Sequence, residues 1–151
     1  MEFKKKVLGY VVRNVHHYWE LLVFEHQDFP GAGIQIPGGT VEAYDHDLFR
    51  AVLREVREET GIEQATVLTE ILSEIYFHKV KNEFQKRHYF ILLTDLKTDQ
   101  WSHTVHSSGE DCGLQFNFYW VDLHSAPHLA GDQDVAVRHV IDFLENRSQL
   151  N

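Results

Sequence analysis

Residues 46 to 60 carry three stripes at helical spacing, and these restrict what can surround the segment. On a wheel of roughly 100° per residue with Phe49 at zero, Phe49, Val52, Leu53, Val56 and Thr60 fall within about 60° of zero. Arg50, Arg54 and Arg57 gather near about 110°, and Glu55, Glu58 and Glu59 near about 235°. The apolar stripe predicts a helix laid on a core, so the rest of the chain has to supply an apolar surface.

That surface reads as β-sheet. Residues 6 to 14 and 20 to 25 have the composition of two strands, joined by a polar, aromatic turn at residues 14 to 19. Further β-rich runs occupy residues 66 to 77, 87 to 94 and 115 to 121, where Phe116, Phe118 and Trp120 alternate onto one face. A second helix is expected over residues 133 to 146, with Val137, Val140, Ile141 and Leu144 at core spacing. Strands interspersed with helices predict an α/β fold, a sheet covered by helices. No repeat, low-complexity tract or proline-rich linker interrupts the chain, so one domain over residues 1–151 is expected. Residues 101 to 113 are expected to form a long loop, of a length that often carries function.

The glutamate stripe points to chemistry. A solvated helix face laced with i,i+4 ion pairs accounts for Glu58, which has Arg54 four positions before it. Glu55 and Glu59 have no cation at helical spacing, and like charges so placed repel by a few tenths of a kcal/mol per pair. A divalent cation reverses that repulsion, and magnesium or manganese prefers oxygen ligands. Gly61 sits where a left-handed cap is expected, and Pro37-Gly38-Gly39 suggests a sharp turn that points a carbonyl outward as one more hard ligand.

Fourteen basic against 23 acidic side chains give a net charge of -9, which opposes broad binding to nucleic acid. An anionic substrate then needs bound cations beside it. The one cysteine, Cys112, excludes an internal disulfide and suits a reducing compartment. Lys4-Lys5-Lys6 followed by an apolar run imitates a signal peptide, but Arg13 cuts the run short and no small-residue cleavage site follows. A cytoplasmic location is expected. Eleven histidines raise the question of zinc, above all His16-His17 and His103-x-x-His106, but no cysteines are spaced to complete a structural site.

Taken together, Gly38-Gly39 and the run Arg54-Glu55-Val56-Arg57-Glu58-Glu59-Thr60-Gly61-Ile62 resemble the Nudix box, the signature of the MutT-like hydrolases. The second half matches at every fixed position. The first half departs: counting forward from Gly39 reaches Asp45 where the family has Glu, and counting back from Arg54 reaches His46, so one residue is added near the helix start. Asp45 or Asp47 is free to cap the helix there.

The resemblance implies an α/β/α sandwich with a mixed sheet, and hydrolysis of the pyrophosphate linkage in a nucleoside diphosphate derivative with Mg2+ or Mn2+. It implies that Glu58 and Glu59 ligate metal, that Glu55 is a ligand or the base, that Gly38 adds its carbonyl, and that Arg54 holds the glutamates in place. Some relatives draw a base from a loop outside the box; Glu110 is the first candidate here and Asp111 the second. Tyr76, near a tyrosine of dinucleoside polyphosphate hydrolases, and Lys79 and Arg87, in a basic run with Lys81 and Lys86, are candidates to hold substrate. The absence of proline between Pro37 and Pro127 disfavours the ADP-ribose hydrolases. The expected partner is a small nucleotide derivative, with no membrane and with nucleic acid only as an RNA 5′ end; a homodimer is compatible with the sequence. The competing class is a non-catalytic module that keeps the fold and senses a nucleotide.

Overall fold

The computed structural model describes residues 3–107, 109 and 111–149. In chain order the elements are β1 (Lys4–Val15), β2 (Tyr18–His26), β3 (Gly38–Thr40), α1 (Leu48–Thr60), β4 (Thr66–His78), β5 (Glu83–Leu93), β6 (Gln100–Thr104), β7 (Gln115–Asp122) and α2 (Val137–Gln149). The sheet runs β4-β5-β1-β2-β7-β6, with β3 added on β1. β1 and β5 are parallel and every other pair is antiparallel, so the sheet is mixed. Among the described residues no helix is long and apolar enough to cross a membrane.

β1 lies at the centre with both faces covered, which is why residues 7 to 13 are buried without alternation. On one face Val7, Val11, Phe24, Phe90, Phe116 and Phe118 pack under Ala51, Val52 and Val56 of α1. On the other, Leu8, Tyr10, Val12, Tyr89 and Ile91 pack under Val140, Ile141 and Leu144 of α2. Gly9 permits the close approach of α1, since a Cβ there would stand 2.9 Å from Leu92 Cδ1 and 3.3 Å from Val56 Cγ2.

The turn expected between the first two strands is formed by His16 and His17, with φ of 50° and 72°, whereas other expectations change. Gly38-Gly39 is not a turn but the strand β3, paired with Lys6–Leu8. β6 occupies the start of the expected long loop. α2 begins at Val137 and not at residue 133, because residues 133 to 136 belong to a 3-10 segment that follows left-handed backbone at Gly131 and Asp132. α1 begins at Leu48 with Asp47 as its cap, the Asp47 carboxylate accepting from the Arg50 N–H at 2.8 Å. It ends as expected at Gly61, φ 82°.

The largest correction concerns the orientation of α1. Phe49 and Leu53, expected in the core, are 50% and 36% exposed, whereas Glu55 and Glu59 are 7% and 3% exposed. The buried stripe is turned by about 70° toward the carboxylates. The helix therefore carries its acidic face inward.

It faces an opening in the sheet. β1 pairs with β2 only over Val12–Val15; at the other end the Gln35–Thr40 segment is wedged between them, bridging Phe24 on one side and Lys6–Leu8 on the other.

Candidate active site

Arg54 organises the acidic cluster. Its Nη1 donates to Glu55 Oε1 at 2.9 Å and to Glu58 Oε2 at 3.1 Å. Its Nε and Nη2 grip Asp45 at 2.9 and 2.8 Å, and Nη2 also donates to the Thr40 carbonyl at 3.1 Å. All five guanidinium N–H groups are thus used. Helical spacing alone had left Glu55 without a cation; Arg54, its sequence neighbour, reaches it sideways. Asp45 does not cap the helix: it accepts from Arg54 and from the Glu42 N–H at 2.8 Å, and the Arg54 hydrogen bonds hold its carboxyl below the ordinary range. The added residue therefore sits in a loop anchored on the arginine.

Glu59 is the most enclosed acid. Its Oε1 accepts the Gly38 N–H at 2.9 Å, and its carboxyl meets that of Asp111 in a hydrogen bond. Burial raises its pKa well above the ordinary value, opposed by the Gly38 N–H and reinforced by Asp111 and Glu55. Burial likewise pushes Glu55 up to about 7, against the pull of Arg54 and with help from Glu58 and Asp111. Gly39 lines the same place with no room to spare: a Cβ there would stand 2.1 Å from Glu55 Oε2. At Gly38 a Cβ would meet the Val7 carbonyl at 2.6 Å.

Among the described residues no three His, Cys, Asp or Glu side chains stand close enough to grip a metal ion as they are. Glu55 and Glu58 turn to Arg54, and Glu59 to Gly38 and Asp111. The donor set nevertheless fits a hard divalent cation: carboxylate oxygens only, with the buried Glu59 facing Asp111 so that a proton or a cation relieves their repulsion.

Around this cluster lies a cavity of about 320 Å³, walled also by Lys4, Lys6 and Lys81, with the Lys6 ammonium on Thr40 Oγ1 at 2.7 Å. A further cavity of about 180 Å³ shares Lys6, Glu59, Lys81 and Asp111 and extends to His26, Phe116, Gln85 and Gln133 in the sheet opening. A larger groove, about 900 Å³, is at the other end of β1. It has no comparable acid cluster, and its Arg13 is committed to Glu20, Asp99 and two carbonyls.

Of the three residues expected to hold substrate, Tyr76 and Arg87 stand together and Lys79 stands apart. Arg87 lines the smaller cavity, yet it is buried and donates to Gln85, Tyr89 and the Gly131 carbonyl. Tyr76 lies against its guanidinium, 3.6 Å from ring centre to Cζ. Lys79 is exposed in the β4–β5 turn and lines neither cavity; Lys81, two residues on, lines both. Lys4 and Lys6 were missed because three consecutive lysines before an apolar run imitate the start of a signal peptide. Alternation in β1 sends Lys4 and Lys6 to the site and Lys5 to the opposite face.

Glu110 lies outside the described residues. Asp111, the second candidate, reaches Glu59. His103 and His106 are not a metal pair: the His103 ring and the His106 N–H both address the Glu58 carbonyl, at 3.0 and 3.3 Å, and tie the loop to the end of α1.

The NUDIX domain model matches residues 3–142. No curated protein matches the sequence. Among solved structures, the chain is similar to a C. elegans Ap4A hydrolase binary complex at 22% identity and a TM-score of 0.71, covering 95% of this chain and 98% of that one. It is also similar to the NUDIX domain of Shewanella oneidensis NrtR in complex with ADP-ribose, at 14% identity and a TM-score of 0.70, covering 95% and 90%. A MutT NUDIX hydrolase from Burkholderia pseudomallei superposes with a TM-score of 0.59 at 19% identity, covering 93% of this chain and 99% of that one.

Proposed function

The chain belongs to the Nudix family, and we propose that it is a pyrophosphohydrolase that cleaves the pyrophosphate linkage of a nucleoside diphosphate derivative with Mg2+ or Mn2+. One observation carries the reading: two buried carboxylates, Glu55 and Glu59, share an acidic cavity with Asp111 and face three lysines across it. A fold has no structural use for that arrangement, whereas a polyphosphate bridged by a cation complements both walls.

Glu58, Glu59 and the Gly38 carbonyl are the groups assigned to hold the metal, with Glu55 and Asp111 beside them. Bound metal would neutralise the pyrophosphate and polarise the attacking water. Arg54 keeps Glu55 and Glu58 at a fixed spacing through charge-assisted hydrogen bonds. Glu55, whose proton affinity is centred at about 7, is suited to accept the proton that the water loses. Lys4, Lys6 and Lys81 offset the phosphate charge. Arg87 lines the smaller cavity with Tyr76 stacked behind its guanidinium, and contact with the nucleoside is left to the surrounding polar walls.

The Ap4A hydrolase among the similar structures makes dinucleoside polyphosphates the first substrates to try, followed by nucleoside triphosphates, nucleotide sugars, ADP-ribose and capped RNA. Assayed with Mg2+ and Mn2+, wild type is expected to turn over at least one, and Glu59→Gln to lose activity by orders of magnitude while staying folded. Tight nucleotide binding with no turnover across the panel would favour a sensing module instead. Full activity in Glu59→Gln would overturn the site assignment.

A further inference from the structure

The sheet face that α1 packs on is left open at its lower edge. α1 covers Phe90 and Leu92, with the Phe49 ring 5.5 Å from that of Phe90. Below them, strand pairing lines up two rows across β1, β5 and β4. One row is Lys5, Lys86 and Ile75, since Lys5 pairs with Lys86 and Lys86 with Ile75. The next is Phe3, Phe84 and Phe77: Phe84 pairs with Phe77, their rings 4.9 Å apart, and Phe3 packs edge-on to Phe84 at 6.1 Å. These rings are 39–41% exposed, and Ile75 is 47% exposed.

Both rows run against ordinary surface design. Like charges directly opposite one another on neighbouring strands are destabilising, and among the described residues neither Lys5 nor Lys86 has an ion-pair partner. Adjoining phenylalanines left on a sheet face mark an interaction surface. The acidic strand neighbour Glu74 pairs with Arg87 and points to the opposite side, and Glu70 lies higher up beside His88. In a chain of net charge -9, this is a local island of positive charge on an aromatic floor.

We propose that this face binds single-stranded nucleic acid, with bases resting on Phe3, Phe77 and Phe84 and phosphates on Lys5 and Lys86. Aromatic rings on an open sheet offer sequence-tolerant stacking, and two lysines one residue step away reach the backbone between the bases. The occupant is read from the two rows together: the lysines complement phosphate charge and the exposed rings complement bases, which a single strand carries side by side. The residues lie outside the hydrolytic cavity, so the proposal stands apart from the catalytic reading.

The test is fluorescence anisotropy with a labelled ten-residue oligouridylate, in EDTA so that no hydrolysis intervenes. Wild type is expected to bind, with log K falling against log[salt] at a slope of about -1.4 for two neutralised phosphates. Lys5→Gln with Lys86→Gln should flatten that slope and weaken binding at least about tenfold, and Phe84→Ala should weaken it about tenfold with the slope kept. The lysine variant touches no core contact and guards against misfolding in the phenylalanine variant. Both are expected to hydrolyse a small nucleotide substrate at the wild-type rate. The proposal is overturned by affinity that none of these changes moves, by no binding at low salt, by binding to phosphatidylserine vesicles but not to the oligonucleotide, or by a dimer in sedimentation that Lys86→Gln dissolves.

Discussion

Burying Glu55 and Glu59 has a measurable cost when no cation is bound. Glu55 moves from an ordinary value of 4.5 to about 7, which at about 1.4 kcal/mol per pH unit is about 3 kcal/mol, and Glu59 is displaced in the same direction. Between pH 4.5 and 7 the folded protein holds these protons more tightly than the unfolded chain does. Folding stability conferred by the protonated acids is therefore present at low pH and lost as pH rises through this window. For a domain of this size 3 kcal/mol corresponds to roughly 6–12 °C in Tm. His26 and His78 act in the opposite sense, since burial disfavours their charged forms and stability from them grows with pH.

A comparison of variants separates the two. Melting of wild type and Glu59→Gln is followed from pH 5 to 8 in EDTA and again with millimolar Mn2+. Without metal, Glu59→Gln is expected to have the shallower decline and the higher Tm at pH 7.5; with Mn2+, wild type should gain several degrees and the variant little, as expected of a ligand that binds only the folded site. Identical metal-free pH profiles, or an equal Mn2+ shift in both, would refute the reasoning.

Other expectations are more direct. Arg54→Gln leaves Asp45, Glu55 and Glu58 without their shared cation and should cost about 3 kcal/mol in urea unfolding, more than Asp45→Asn, which leaves the arginine its two glutamates. Gly39→Ala displaces the Glu55 carboxylate from Arg54 and should lower kcat at least tenfold, by about 1.4 kcal/mol or more of barrier, with a smaller change in Tm than at Gly38. Gly38→Ala meets the Val7 backbone instead and should lower Tm markedly. Asp111→Asn removes a charge beside Glu59 and Glu55 and should reduce kcat by about tenfold to a hundredfold, read as a rate against pH; unchanged turnover would leave proton acceptance to Glu55 alone.

The strands β1, β2, β4, β5 and β7 were legible because each buries enough apolar side chains to leave a pattern. β3 and β6 were not. Gly38-Gly39 disfavours a strand and is extended because β1 offers it an edge, and β6 pairs with β7 across the expected loop. The second-helix boundary was misplaced because residues 133 to 136 are wound as a 3-10 segment, which the apolar spacing does not distinguish from α-helix.

α1 shows where sequence periodicity stops being informative. A wheel separates apolar, basic and acidic faces, but it ranks them by hydrophobicity and so turns Phe49 and Leu53 inward. The fold places those two at the surface and buries Glu55 and Glu59. Such a rotation runs against transfer free energy on both sides of the helix, apolar area exposed and ionisable groups enclosed. It is sustained locally by Arg54 and by the Gly38 N–H, and by protons on the acids when no cation is present. A charged face turned toward a sheet opening is thus itself the trace of the site. The sequence carried its one local sign in Arg54, placed next to Glu55 and one helical turn before Glu58, where a single guanidinium reaches both.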